Sequence, residues 1–194
     1  MITATVSEAT PYLVTRGRND ILTAPSVTLS LEKDVITINF ISPGNRLNAA
    51  LLTFSAGKSA CLHARDTTVF SVIKEMVNWI DNHLDEMLTV ERISRKSGYS
   101  VWHFQRKFSQ LTGFNVSEFV RRRRVINATF SLIFTNKSII DIAVENGFNC
   151  QASFTRTVRA LTHLTPGSIK RLHAGNEHAF MSVINILMNP AHLL

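Results

Sequence analysis

Thr89-Val90-Glu91-Arg92-Ile93-Ser94-Arg95-Lys96-Ser97-Gly98-Tyr99-Ser100-Val101-Trp102-His103-Phe104-Gln105-Arg106-Lys107-Phe108 is the stretch that decides the fold. Thr89 is an N-cap residue, without the full capping box because Arg92 stands where Glu or Gln would complete it, and it opens a helix from Val90 to Ser97. Gly98 supplies the left-handed residue of a tight turn. Ser100 caps the next helix, Val101 to Thr112, and Gly113 ends it. Helix, short glycine turn, helix is the helix-turn-helix pattern.

The pattern recurs. Ile93-Ser94, Gly98-Tyr99-Ser100, Phe104-Gln105-Arg106 and Phe108 align with Ile142-Ala143, Gly147-Phe148-Asn149, Phe154-Thr155-Arg156 and Val158. The offset is 49 residues before the second helix of the pair and 50 within it, so one residue is inserted between the copies' elements. Between the copies, Ser117 to about Phe134 contains neither Gly nor Pro and predicts one long helix. Its length, roughly 27 Å, approaches the roughly 34 Å between successive major-groove openings on one face of B-DNA. Upstream, apolar residues at Val69, Val72, Ile73, Met76, Val77 and Ile80 predict a further helix.

The first third of the chain reads differently. Val27-Thr28-Leu29-Ser30-Leu31 and Val35 to Ile41 alternate as strands around the turn-like Glu32-Lys33-Asp34, and Ser42-Pro43-Gly44-Asn45 stops the second. Ala49 to Phe54 predicts a third strand, and Gly57 to Asp66 a linker. Residues 1–66 are therefore expected to form a small β-rich extension without a catalytic constellation.

Charge is concentrated in the repeated segment. The 194 residues carry a formal +7, yet between Arg92 and Leu172 there are 14 basic against 3 acidic side chains, a local net of +11. Such a stretch repels itself unless an anion lies nearby, which makes a polyanion the expected partner. In the helix from Val101, Phe104, Phe108 and Leu111 share one face and leave Trp102, Gln105, Arg106 and Ser109 on the other; in the second copy Phe154, Val158 and Leu161 leave Gln151, Thr155, Arg156 and Arg159 outward. The outward sets are base-reading chemistry: Arg forks onto guanine O6 and N7, Gln pairs with adenine N6 and N7, and an aromatic ring or Thr methyl packs on the thymine methyl. Ser100 and Asn149 are expected as the caps, where helix ends meet phosphate oxygens. Arg121 to Arg124 cover all sides of a helix, so only one or two of them are expected on phosphate.

Several classes are excluded. No apolar run approaches the roughly 20 residues of a membrane-spanning helix. The N-terminus lacks a signal-peptide pattern, and Cys61 and Cys150 are the only cysteines, which places the chain in a reducing cytoplasm. Seven His residues show no metal-ligand spacing, so no metal and no cofactor are expected. Cys61 sits in Ala60-Cys61-Leu62-His63, without the Pro-Cys-His run of alkyl-transferring repair proteins, so no enzyme is expected; Cys150 lies near a helix N-terminus, where a thiol pKa can fall, and reads as an inert small side chain ahead of the alternative, a redox switch.

Ser97 to Phe108 followed by Thr112-Gly113, then Ile139-Ile140-Asp141-Ile142-Ala143, Gly147-Phe148, Phe154-Thr155-Arg156 and Thr165-Pro166, closely resembles the DNA-binding domain of AraC/XylS-type transcriptional regulators, and Trp102-His103-Phe104-Gln105-Arg106 the branch containing MarA, SoxS and Rob. The resemblance covers residues 67–172. It implies a mostly α fold: a seven-helix domain of two helix-turn-helix subdomains joined by a long helix, preceded by the β-rich residues 1–66 and followed by an apolar tail, 173–194. It also implies a bacterial, nucleoid-associated regulator, an activator, that inserts two recognition helices into adjacent major-groove segments of double-stranded DNA and bends the DNA or contacts RNA polymerase. Base contacts are expected from Trp102, Gln105, Arg106, Gln151, Thr155 and Arg156, and phosphate contacts from Ser100, His103, Arg121, Arg124, Asn149, Arg159 and Lys170. Departures from the family pattern are Ala152 in place of a polar reader, Val158 in place of Phe, His163 in place of Gly and Ile169 in place of an aromatic residue. The expected state on DNA is a monomer, with a dimer through residues 1–66 as the other arrangement. The competing function is a protein–protein regulator acting through its N-terminal strands or through the tail, where Phe180, Val183, Ile184 and Leu187 form an apolar stripe that can dock on the domain, pair with a partner or stay disordered.

Overall fold

The computed structural model of the chain describes residues 4–5, 26–32, 35–41, 49–55 and 67–188. Among the described residues there are eight helices: α1 (Thr67–Asp81), α2 (Val90–Ser97), α3 (Val101–Thr112), α4 (Val116–Phe134), α5 (Ile139–Glu145), α6 (Gln151–Thr162), α7 (Pro166–Leu172) and α8 (Glu177–Met188). Four strands, β1 (Ala4–Thr5), β2 (Ser26–Glu32), β3 (Val35–Ile41) and β4 (Ala49–Ser55), pair antiparallel in the order β1-β4-β3-β2, with Leu29 opposite Ile38 and Ile38 opposite Leu52. Lys33-Asp34, the stop at residues 42–45, the linker Gly57 to Asp66, Cys61 and residues 189–194 lie outside the described residues.

Polar side chains set the helix starts. Thr89 Oγ1 accepts the Arg92 N–H at 3.2 Å, Ser138 Oγ accepts that of Asp141 at 3.2 Å, and Thr165 with Ser168 forms a capping box ahead of Pro166. Each such cap satisfies an otherwise orphaned backbone donor and contributes about 1 kcal/mol. Asn115 Oδ1 does the same for Glu118 at 2.9 Å, which starts α4 at Val116 rather than Ser117.

The core forms where the apolar stripes meet. Ile73, Met76, Val77 and Ile80 of α1 are buried in one cluster with Ile93 of α2 and Phe104 and Phe108 of α3. The α4 helix runs between the two helix-turn-helix units, with Phe119 edge-on to Phe108 at 5.2 Å near its start and Phe130 and Phe134 against Phe180 of α8 at 5.6 and 5.7 Å near its end.

That last contact concerns the tail: the seven expected helices are α1 to α7, all within residues 67–172, and an eighth lies beyond them. Phe180, Val183, Ile184, Leu187 and Met188 are all buried, so the apolar stripe docks as an eighth helix. Two polar contacts fix the docking: the Gly175 N–H reaches the Ile133 carbonyl at 2.8 Å, and the Arg122 guanidinium donates to the Leu187 carbonyl in the last turn of α8, where helix carbonyls lack intrahelical partners. The three outcomes left open by the stripe are decided by the facing aromatic end of α4, some 50 residues away in sequence and so invisible to local periodicity.

His163, in place of the expected Gly, has a backbone cost. It closes α6 at φ 60°, the only positive φ outside glycine among the described residues, whereas Gly113 closes α3 at φ 80°. A side chain in this region costs about 1 kcal/mol that glycine avoids. His163→Gly is therefore expected to stabilise the protein by about 1 kcal/mol; an unchanged or lower midpoint in urea would show that the imidazole contributes more than the strain.

Candidate nucleic-acid interface

The α3 and α6 helices are built to one plan. Each has 12 residues; Ser100 caps the first by accepting the His103 N–H, Cys150 caps the second through Sγ accepting the Ser153 N–H at 3.5 Å, and each ends on a left-handed residue. Counted from these caps the helices correspond at an offset of 50. The inserted residue lies in the second turn, which runs Gly147-Phe148-Asn149 before the cap where the first has only Gly98-Tyr99. Asn149, expected as the cap, is thus an exposed turn residue, and the cap is Cys150. Hydrogen bonding from the Ser153 backbone, foremost, lowers the Cys150 thiol pKa, and the charge of Arg156 acts in the same direction.

Both helices bury the anticipated face. Phe104, Phe108 and Leu111 are buried from α3, and Phe154 and Val158 from α6 with Leu161 half-buried. On the opposite face Trp102 is 69% exposed, Arg106, Gln151, Arg156 and Arg159 are exposed, and Gln105 and Thr155 are half-buried. The Arg106 guanidinium lies over the Trp102 ring at 5.4 Å. His103, expected on phosphate, is half-buried and stacks on Tyr99 at 4.9 Å.

The four consecutive arginines of α4 divide sharply. Arg121 is exposed. Arg122 is buried and pairs with Glu118 at 2.8 Å, and Arg123 is buried and grips the Asp81 carboxylate at the end of α1. Arg124 donates to the carbonyls of Leu84 at 2.9 Å, Glu86 at 2.6 Å and Gly147 at 3.0 Å. It ties the loop after α1 to the turn before α6, and with its donors directed at these carbonyls it is an internal strut rather than an outward cation. Burial lowers its pKa, with Asp85 acting oppositely; a guanidinium remains charged regardless. Close by, Asn127 Nδ2 donates to Asn146 Oδ1 at 3.0 Å, a second polar link from α4 to the second unit.

Other basic side chains are also engaged. Arg92 pairs with Glu86, Lys137 with Glu145, and Lys170 donates to the Lys137 carbonyl, while Arg92 and Lys96 approach the Trp79 ring. Sequence reasoning missed the Arg124 strut and the Cys150 cap. A signal for the first was present, since four consecutive helical positions cannot all face solvent. Among the described residues no three His, Cys, Asp or Glu side chains converge as a metal site, and no helix is long and apolar enough to cross a membrane.

A family described as a helix-turn-helix domain matches residues 93–171. The probable transcription factor PqrA of Proteus vulgaris is 36% identical over 115 residues, covering 58% of this chain and 94% of PqrA. An AraC-type regulator structure from Chromobacterium violaceum has 26% identity and a TM-score of 0.51, covering 55% of this chain and 95% of its own. This chain belongs to the AraC family of helix-turn-helix transcriptional regulators. The DNA-binding domain of the global transcriptional factor AdpA, solved in complex with a target DNA, has 25% identity and a TM-score of 0.50, covering 52% of this chain and 90% of the AdpA domain. The regulator YbfP of Bacillus subtilis is 36% identical over 113 residues, and the match spans 38% of its length and 56% of this chain. The family match, residues 93–171, spans both α3 and α6, the helices whose outward faces are described above.

Proposed function

We infer that this protein is a bacterial transcription activator that binds double-stranded DNA sequence-specifically, with α3 and α6 entering adjacent major-groove segments. The observation that carries this is the pair of 12-residue helices, capped alike, buried through corresponding faces and each presenting an arginine at the corresponding outward position, Arg106 and Arg156. The α4 helix, 19 residues and about 28 Å long, sets the separation of the two reading heads close to one turn of duplex. Residues from Thr67 through α8 act as the DNA-binding unit, and residues 1–66 as an extension. With both heads on one chain a monomer suffices, working in the cytoplasm on the nucleoid with RNA polymerase as its partner. Its whole output is binding, with no reaction catalysed.

Trp102, Gln105 and Arg106 face bases in one segment and Gln151, Thr155 and Arg156 in the other. Ser100, His103, Arg121, Asn149, Arg159 and Lys170 address phosphates; Arg124 leaves this set because its donors serve internal carbonyls. Selection from a random duplex library at about physiological salt tests the reading, since electrostatic attraction alone mimics specificity when salt is low. Two short motifs about one helical turn apart are expected; enrichment of no motif would overturn it.

The two kinds of contact separate by mutation. Arg106→Ala is expected to lose about 1–3 kcal/mol on the selected site and to relax the preference at one base pair. Arg121→Ala is expected to weaken binding to every sequence alike and to reduce the slope of log K against log salt by about 1. Equal, sequence-independent losses from both would refute this division.

A further inference from the structure

Trp102 is an anomaly as a packing residue. At 69% exposure its indole contributes little to the core, unlike the phenylalanines at Phe104 and Phe108 beside it. The guanidinium of Arg106, four residues on, lies over the ring, 5.4 Å from its centroid. Positions i and i+4 lie one above the other on a helix, so a planar ring at 102 is placed to support a side chain at 106. An unsupported exposed arginine samples many rotamers, and it must give these up to present its fork to a guanine. A stacked arginine has surrendered part of that freedom before the DNA arrives.

The second head lacks this support. Counted from the caps, the residue corresponding to Trp102 is Ala152, while the arginine is retained as Arg156. A methyl group cannot carry a guanidinium, and among the described residues no aromatic ring lies over Arg156. The same reading residue therefore stands at the same helix position twice, once braced and once not.

We propose that Trp102 is a positioning residue that holds Arg106 for base recognition, so that the protein discriminates sharply in the half of its site read by α3 and tolerantly in the half read by α6. This deepens the proposed function and rests on α3 and α6 being the reading helices. The attraction grows as water leaves the ring and the cation on entry to the groove, so the brace acts most strongly in the bound state. Specificity in this chain is then set by a residue that acts through its neighbour.

The test is duplex-library selection with the full chain, comparing base preference position by position. Arg106→Ala and Arg156→Ala first mark the two base pairs that these residues read. In the wild-type protein the Arg106 position is expected to show about five- to tenfold stronger preference than the Arg156 position. Trp102→Ala is expected to remove that excess at the base pair marked by Arg106→Ala, Trp102→Phe to restore most of it, and Trp102→Ala combined with Arg106→Ala to be no flatter there than Arg106→Ala alone. Ala152→Trp is expected to sharpen the position marked by Arg156→Ala. If Trp102→Ala flattens only a different base pair and leaves the Arg106 position as it was, the indole serves its own base contact alone and the proposal fails; if it leaves every preference as it was, the stack has no role in recognition and the proposal also fails. Should neither arginine variant flatten any position, the reading-helix assignment itself is what has failed, a result distinct from the other two.

Discussion

Replacing Arg124 by methionine will lower the stability of the protein by about 3 kcal/mol and leave the salt dependence of DNA binding by the folded protein unchanged. Methionine keeps most of the apolar stem and removes every donor. Three charge-assisted hydrogen bonds disappear, to the carbonyls of Leu84, Glu86 and Gly147. Each is of a kind that contributes about 1.5–3 kcal/mol, but the site borders an open groove lined by Asp85, Met87, Leu88 and Val144, so water can reach part of what the guanidinium leaves and the total falls well below the sum. Thermal unfolding by circular dichroism should show a midpoint lower by roughly 10 °C. Binding is then measured well below that temperature. A phosphate contact would behave in the opposite way, with stability kept and the slope against log salt reduced by about 1, and that result would return Arg124 to the interface.

Arg121 to Arg124 show why part of the site was legible and part was not. The doubled motif, the left-handed glycines Gly98 and Gly113 and the caps Thr89 and Ser100 are local chemistry, and each follows from the order of residues within one or two turns. The faces of α3 and α6 follow equally from periodicity, because Phe104 and Phe108 fix the phase that turns Trp102 and Arg106 outward. Four arginines in a row carry no such information. What separates them is which neighbour each meets: Asp81 from α1 for Arg123, Leu187 from α8 for Arg122, and carbonyls of the loop after α1 and of the turn before α6 for Arg124. These partners are 23 to 65 residues distant, and the geometry that brings them together is a product of the whole fold. The positive charge that faces outward is accordingly smaller than the +11 of the segment, and more of it belongs to the reading helices. The inserted residue before α6 was legible as an insertion, yet its place was not, because Asn149 has the chemistry of a cap and Cys150 does not. Only the backbone, by putting Cys150 at the first turn, assigns the role.

The junction around Gly147 yields the other large effect. Gly147→Ala is expected to cost about 4 kcal/mol, against about 1 kcal/mol for Gly98→Ala, although both glycines occupy corresponding turns at φ +70° and +76°. Backbone conformation penalises the two equally. The difference is space: a Cβ at Gly98 meets nothing within 4 Å, whereas one at Gly147 falls 2.5 Å from the Leu84 carbonyl oxygen and 2.7 Å from Arg124 Nη2. Arg124 is flexible and can retreat, but only by releasing its carbonyls; Leu84 is a backbone group whose side chain is buried in the core and cannot retreat cheaply. Urea denaturation of the two alanine variants measures the contrast, and equal losses near 1 kcal/mol would mean that the junction relaxes freely and that the close approach carries no energy. Combining Gly147→Ala with Arg124→Met sharpens the argument, because the methyl group displaces the same guanidinium that the second change removes. The double variant should therefore lose less than the sum of the single losses, by about 1 kcal/mol or more, as expected for groups that share partners. Strict additivity would separate the glycine from the arginine. Coupling would show that the tie between the loop after α1 and the turn before α6 is one unit, which requires that this turn have no side chain where the strut crosses it.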